Sequence, residues 1–525
     1  MKNQLFKSAI AIAAALMSSV SAEGAKSFEG VTVGKSYKDV ANNNPLSTVR
    51  YSADPGVMVY NDRIYVYATN DGSVANKYET GNDYAKIVSL NLMSSDDLVN
   101  WMDHGSIPVA GKGNTASWAT NSWAPYAVHK KINGKEKFFL YFANSGNGVG
   151  VVSSDSPTGP FTDPIGKPLI DKNTPTCDKV TWIFDPAALV DNDENETGYL
   201  FFGGGIPGNS VNDTLEAENA PSPKTHRVVK LGADMVSLDG EPKPIEAPWS
   251  FEDSGINKIG STYYYSYCTN FFNGTLGNGR IAYMTSQNPL GPYEYQDVVF
   301  NNPEDFFGTG GNNHHTIINF KDKYYIFYHA EWLNKQIFNE QRGYRTTHVN
   351  ELPFADGKFG KAKGDLTGVQ QVKDVDGSKL QYAANNAWNS GINISGQGEV
   401  TQVQYDKGSW TGVSNVFLGD AKSITLKASS AKGATIRISV DNENGPVLGY
   451  VEIPESKELK EVSADLTNTS GVKDLFFVAS ANATIESWQL IGGTPAPVES
   501  GSLRSMEYSS LVALVLLVLS MVIVF

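Results

Sequence analysis

From residue 54 to residue 328 the chain alternates apolar and polar positions in one recurring arrangement: an apolar strand, a tight polar turn, then a strand crowded with aromatic residues. The five copies are DPGVMVYNDRIYVYATN from Asp54, WAPYAVHKKINGKEKFFLYFAN from Trp123, FDPAALVDNDENETGYLFFG from Phe184, FEDSGINKIGSTYYYSYCTN from Phe251 and HHTIINFKDKYYIFYHAEW from His314. Period-two alternation around Asn-Asp, Asn-Gly or Lys-Asp turns predicts hairpins, and their regular recurrence predicts a closed radial array. Five copies make five propeller blades. SPTGPFTD at Ser156 and NPLGPYEY at Asn288 repeat within two of them and extend the unit beyond the hairpin. Arg345 to Leu352 and the turn Asp356-Gly357-Lys358 are expected to close the last blade. The texture changes near Thr367. From Gln381 to Leu490 short alternating strands, such as SITLKAS and DLFFVAS, are separated by Gly, Asn and Asp turns, the pattern of a β-sandwich. No long amphipathic helix is predicted. The fold class is all-β: a five-bladed β-propeller over residues 44–366, then a β-sandwich of jelly-roll type over 378–491.

The ends have other compositions. Lys2 and Lys7, the apolar run Ala9 to Met17 and the small residues Val20-Ser21-Ala22 form a secretory signal pattern over residues 1–22. A Gly- and Pro-containing linker, 492–502, precedes residues 503–525, which finish on the apolar run Leu511 to Phe525. That run is short for a span of ~20 residues. With Ser500, Gly501 and Ser502 before a polar spacer, it has the layout of a glycolipid-anchor signal; the other reading is a single-pass tail. Six Asn-x-Ser/Thr sequons, at Asn195, Asn212, Asn273, Asn393, Asn468 and Asn482, suit an exported chain. Its two cysteines, Cys177 and Cys268, are able to pair only if their geometry permits. A net charge of -14 disfavours nucleic acid or anionic lipid surfaces as partners. A neutral ligand fits better.

Equivalent starts of the inner strands of a propeller converge near its axis, so Asp54, Asp185 and Glu252 are expected to meet there. Asp54 and Asp185 each precede a proline at the same point of two repeats. For an isolated Asp-Pro, turn initiation is the simpler reading. Eleven residues separate Asp54 from Tyr65, and eleven separate Glu252 from Tyr263, which places Glu252 in register. Asp253 is expected on the opposite face of the strand, and Glu246 out of register; both are alternatives as surface acids. Breaking a glycosidic bond takes a proton donor and a second carboxylate that activates water or attacks carbon. A third carboxylate beside a partly buried donor raises its pKa.

YSADPGVMVYNDRIYVYAT, SWAPYAVHK, FDPAALVDNDENETGYLFFGG, FEDSGINKIGSTYYYSY and GNNHHTIINFKDKYYIFYH together resemble the family 43 glycoside hydrolases, from about Asn44 to Asp365. Those are five-bladed propeller enzymes that remove arabinofuranose or xylose from plant cell-wall polysaccharides. The resemblance implies an inverting mechanism, with Asp54 as general base, Glu252 as general acid and Asp185 tuning the acid and orienting substrate. It makes His314 the axial histidine and Arg345 the arginine that reaches the Asp185-type carboxylate. Trp123 either floors the sugar site or belongs to the core. No cofactor is required and no metal ligands are assigned, while calcium near the axis is left open. Where the family has Glu-Ala or Glu-Gly, this chain has Glu252-Asp253.

GSWTGVSNVFLGDAKSITLKASS, IRISVDNENGPVLGYVEIP and IESWQL resemble a family 6 carbohydrate-binding module. Gln404 and SKELKEV stand where such modules carry aromatic residues, so Trp410 and Trp488 are expected in the core. The implied protein is a secreted, lipid-anchored monomer on the cell surface that releases α-L-arabinofuranose from arabinoxylan. The alternatives are a β-xylosidase or arabinanase of the same fold, or a catalytically silent polysaccharide-binding protein.

Overall fold

A computed structural model describes residues 23–76, 78–207, 222–271, 276 and 278–497. The candidate leader, the terminal apolar run and the sequons at Asn212 and Asn273 lie outside them. Blade 1 is Arg50–Tyr60, Arg63–Ser73, Ser89–Ser95 and Trp101–Pro108; blade 2 is Trp123–Ile132, Lys135–Ala143, Gly148–Ser154 and Ile170–Asp171. Blade 3 is Ala187–Val190, Gly198–Gly203, His226–Lys230 and Lys243–Ile245, and blade 4 is Ser250–Ile259, Thr262–Thr269, Ile281–Ser286 and Glu294–Phe300. Blade 5 has three strands, His315–Phe320, Lys323–Ala330 and Thr346–Glu351. The hairpin Phe354–Ala355 and Lys358–Phe359 forms a separate ribbon instead of a fourth strand, its Phe354 and Phe359 packing on Tyr264 of blade 4.

The predicted turns are present. Asn61-Asp62 and Lys321-Asp322 have two successive positive φ angles (49° and 60°, 50° and 61°), the twist that closes a two-residue hairpin. Apolar clusters between neighbouring blades follow from aromatic strands facing their neighbours: Met58 and Tyr67 meet Phe138 and Leu140, and Tyr264 and Tyr283 meet Ile317 and Ile326. Val57 and Ile64 meet Phe320 and Phe327, which joins blade 5 back to blade 1. The outer edge of blade 5 is covered by the chain ahead of blade 1. Leu46 N–H donates to the Thr347 carbonyl, and the Asn44 amide both donates to and accepts from the Val349 backbone.

The second region is one curled ten-stranded sheet around its own apolar core. Trp410 and Trp488 are 1% and 2% exposed, so both are core residues. Residues 23–43, ahead of the propeller, also pack here: Phe28, Val33 and Val40 cover Trp388, Trp410 and Phe476, and Trp410 Nε1 donates to the Gly34 carbonyl at 2.7 Å. The sandwich is fused to blade 1, because Asn385–Asn386 adds a strand to Trp101–Pro108. Cys177 and Cys268 are buried in different clusters and each is free.

Candidate active site

The acids reach the axis through a shared backbone feature. In blade 1 the residues Ala53 and Gly56 pair with Thr69 and Tyr67, so Asp54 and Pro55 bulge opposite a single partner residue. Blade 2 repeats this between Trp123 and Tyr126, and blade 4 between Glu252 and Gly255. In blade 3 Phe184 accepts from Gly203 and Ala187 pairs with Phe201, leaving Asp185-Pro186 in the same place. The first bulged residue is left-handed in all four: Asp54 (φ 48°), Ala124 (42°), Asp185 (48°) and Asp253 (63°). The blade 4 counterpart of Asp54 is therefore Asp253, not Glu252. The hairpin register pairs Tyr65 with Tyr264 as equivalents, so the eleven-residue count was one residue out. A bulge interrupts strict alternation, and this is why Asp253 is completely buried at the axis instead of lying on an opposite, exposed face.

Glu252 nonetheless lines the same cavity as Asp54 and Asp185, a space of about 370 Å³. Glu246 does not; it is exposed and paired with Lys224 at 3.0 Å. Half-exposed Trp123 lines the cavity too, its Nε1 donating to the Tyr84 carbonyl at 3.0 Å. Trp182 packs edge-on against Phe184 and Phe251 to form a second aromatic wall. A wider cleft of about 990 Å³ lies at the junction of propeller and sandwich, but the converging acids are in the smaller space.

Asp54 is fixed on every side. Its Oδ2 accepts from Thr69 Oγ1 at 2.7 Å, its Oδ1 accepts from Arg345 Nη1 at 2.9 Å, and its backbone N–H donates to His329 Nδ1 at 3.0 Å. Burial alone would raise its pKa; Arg345, with His329 and His314 behind it, outweighs burial and holds the carboxyl well below the usual range. Arg345 is oriented in turn by Asp71, which accepts from Nε at 2.8 Å and from Nη2 at 2.9 Å. This corrects the expected partner. Arg345 reaches the Asp54 carboxylate and not that of Asp185, because the strand it precedes runs beside blade 1 at the closure of the ring.

The other two acids lie in an opposite field. Burial, then Asp185, Asp253 and Asp54, push the Glu252 carboxyl well above its ordinary value. Burial and the same neighbours raise Asp185 as well. The two compete for one proton. Asp185 Oδ2 accepts the Asp253 backbone N–H at 3.0 Å, which favours its charged form, whereas buried Glu252 Oε1 has no partner. The proton belongs on Glu252.

His314 is 6% exposed, with Nε2 3.2 Å from Asp253 Oδ1 and Nδ1 3.7 Å from Asp185 Oδ2. Burial, its largest influence, lowers its pKa against the pull of these acids. Among the described residues no group of three or more His, Cys, Asp or Glu side chains is placed to hold a metal. The axial donors His314 and Asp253 face one another, so the residues present do not form the oxygen cage that calcium prefers.

Sequence reasoning singled out neither Asp71 nor His329. Asp253 lies at the axis and not on the exposed face that strict alternation predicts. Its signal was available: aligning ADPG, WAPY, FDPA and EDSG puts Asp253 in the column of Asp54 and Asp185.

Residues 42–359 match the family described as Glycosyl hydrolases family 43. The chain belongs to that family. Residues 382–491 match the family 6 carbohydrate-binding module. This family 43 chain is 40% identical to the arabinoxylan arabinofuranohydrolase of Paenibacillus polymyxa, across 88% of the chain and 77% of that protein. It is also 40% identical to the arabinoxylan arabinofuranohydrolase of Bacillus subtilis (strain 168), across 89% and 94%. Among solved structures, a family 43 arabinoxylan arabinofuranohydrolase from Bacillus subtilis, in complex with cellotetraose, superposes with a TM-score of 0.82 at 39% identity, covering 87% of this chain and 99% of that one. The protein is a glycoside hydrolase.

Proposed function

We propose that this hydrolase releases α-L-arabinofuranose from arabinoxylan with inversion. The observation that carries the reading is the convergence of Asp54, Asp185 and Glu252 in one aromatic-walled cavity with opposite fields on Asp54 and Glu252. Two-domain likeness to arabinoxylan arabinofuranohydrolases supports the choice of sugar. In this mechanism ionised Asp54 takes a proton from water as its oxygen bonds to the anomeric carbon. The bond from that carbon to the xylan oxygen breaks, and the Glu252 proton passes to that oxygen. Inversion requires roughly 6.5–9.5 Å between the two carboxyls to admit the water. Asp185 orients the sugar and keeps the donor protonated, Trp123 stacks on the sugar, and His314 and Arg345 hold the acids in place.

Incubation with arabinoxylan is expected to liberate arabinose without xylose, and proton NMR of the first product to show the β anomer. Xylose as the main product would indicate a β-xylosidase, and absence of any hydrolysis a binding protein.

The sequence of both ends supports secretion and attachment to the cell surface by a lipid near Ser500. The four sequon asparagines among the described residues, Asn195, Asn393, Asn468 and Asn482, are exposed, as glycan attachment requires. Release of activity from cells by a phosphatidylinositol-specific phospholipase tests the anchor, provided its inositol is not acylated; recovery of the Leu511 to Phe525 peptide from the mature protein would establish a spanning tail.

A further inference from the structure

We infer that Asp253 is a positioning residue of the catalytic site: a buried carboxylate that fixes His315 and the Asp185 carboxylate and sets a third acid beside Glu252, which favours the protonated form of Glu252. The inference rests on the reading of Glu252 as general acid.

Its place is fixed by its hydrogen bonds. Asp253 Oδ2 accepts the His315 backbone N–H at 3.0 Å and is hydrogen-bonded to His315 Nδ1 as well. The other oxygen, Oδ1, faces His314 Nε2 at 3.2 Å. His315 Nε2 is hydrogen-bonded to Ser266 Oγ at 2.7 Å, so the ring is held at both nitrogens. The Asp253 side chain and its backbone thus act in two directions. Its Oδ2 fixes His315 at the start of blade 5, while the N–H fixes the Asp185 carboxylate of blade 3.

The bulge explains why this residue is where it is. Asp253 occupies the left-handed slot that Asp54 and Asp185 occupy in their own blades, and all three carboxylates lie within 3.9 Å of the His314 ring nitrogens. Ala124 fills the slot in blade 2 and brings no charge. Glu252, one residue earlier, therefore stands against a ring of three acids. The surrounding groups do not cancel that field. From blade 3 come Asp185 and His226, and from blade 2 Tyr126; both His226 and Tyr126 are buried and neutral, with the histidine lowered to about 3. Tyr265 and Cys268 of blade 4 are buried and held in their neutral forms. His314 is lowered by burial. Arg345 is the fixed cation of the site, and Asp54 and Asp71 both engage it. Asp253 thus joins Asp185, the stronger influence, and Asp54 among the acids that raise Glu252.

Two substitutions remove this charge without opposing the backbone. Asp253→Asn keeps the shape, and asparagine tolerates positive φ; Asp253→Gly suits φ 63° without strain. The reaction needs Glu252 protonated, so activity falls as pH rises through its apparent pKa. Removing a neighbouring negative charge lowers that pKa. Both variants are therefore expected to move the alkaline limb of kcat/KM on arabinoxylan to lower pH, by about one pH unit. With an aryl arabinofuranoside whose leaving group hardly needs protonation, the loss should be much smaller. Alkaline limbs at the wild-type position in both variants, with a uniform loss at every pH, would overturn the proposal and leave Asp253 a packing residue. If instead Glu252→Ala loses activity equally on polymer and aryl substrates, Glu252 is not the acid; that failure is distinct from an unshifted limb. Should Asp253→Asn not fold, the glycine variant decides.

Discussion

Arg345 stands between two buried carboxylates, Asp54 and Asp71, and neutralises the one that the proposed mechanism needs ionised. Replacing it by methionine leaves both acids buried and unpaired. Arg345→Met is expected to cost about 3–5 kcal/mol of stability, measured by denaturant unfolding, and to raise the acidic limb of activity as burial prevails at Asp54. Glu252 predicts the reverse. Its folded pKa is raised, so its ionisation opposes folding as pH climbs above the ordinary value of 4.5. Glu252→Gln should therefore abolish hydrolysis of arabinoxylan yet raise the thermal midpoint, with a gain that grows from pH 5 to pH 8. A stabilisation independent of pH would mean that this carboxyl is ordinary.

At the scale of the strands, the bulges aim the chemistry. Gly56 follows the Asp54-Pro55 bulge, and a methyl group there would lie 1.9 Å from the Pro125 carbonyl oxygen. Gly56→Ala must push blade 1 away from blade 2 and carry Asp54 with it. The expected result is a loss of about 1–3 kcal/mol in unfolding and a fall in kcat larger than any change in KM. The hairpins and their turns were legible because they depend on neighbours in sequence: alternation, aromatic content and turn residues of the Asn-Asp kind. Asp54 and Asp185 were legible as repeated Asp-Pro pairs. Asp253 was misassigned because a bulge cancels the two-residue period on which the facing argument relied. Asp71 and His329 were invisible for another reason: each acts across the closure between blades 1 and 5, hundreds of residues apart, and no local pattern encodes such a pair. The covering of Trp410 by residues 23–43 is equally nonlocal.

For the whole molecule, the chemistry belongs to the propeller but its stability does not. Arg50 donates to the Ile394 carbonyl, Asp103 and His104 bond to the Ala384 and Gly398 backbone, and the apolar side chains of residues 23–43 rest on the sandwich. Deleting Gln381 to Leu490 is therefore expected to lower the thermal midpoint sharply and promote aggregation, while surviving folded protein keeps its activity on small arabinosides. A milder version is Trp410→Ala, which should cost about 3–5 kcal/mol and leave kcat on an aryl arabinofuranoside unchanged at low temperature. With Gln404 and SKELKEV in place of aromatic residues, affinity for insoluble xylan should fall only modestly when the sandwich is removed. Loss of most of that affinity would identify a different carbohydrate-binding face on the sandwich.

In the proposed mechanism Glu252 gives the proton and Asp54 takes one. The most direct measurement compares Glu252→Ala and Asp54→Ala on arabinoxylan and on an aryl arabinofuranoside with a strongly acidic leaving group. The predicted result is a deep loss on the polymer with a much smaller loss on the aryl substrate for Glu252→Ala, and deep losses on both for Asp54→Ala, since water still needs its base. Equal losses on the two substrates in the Glu252 variant, or preserved aryl hydrolysis in the Asp54 variant, would contradict it.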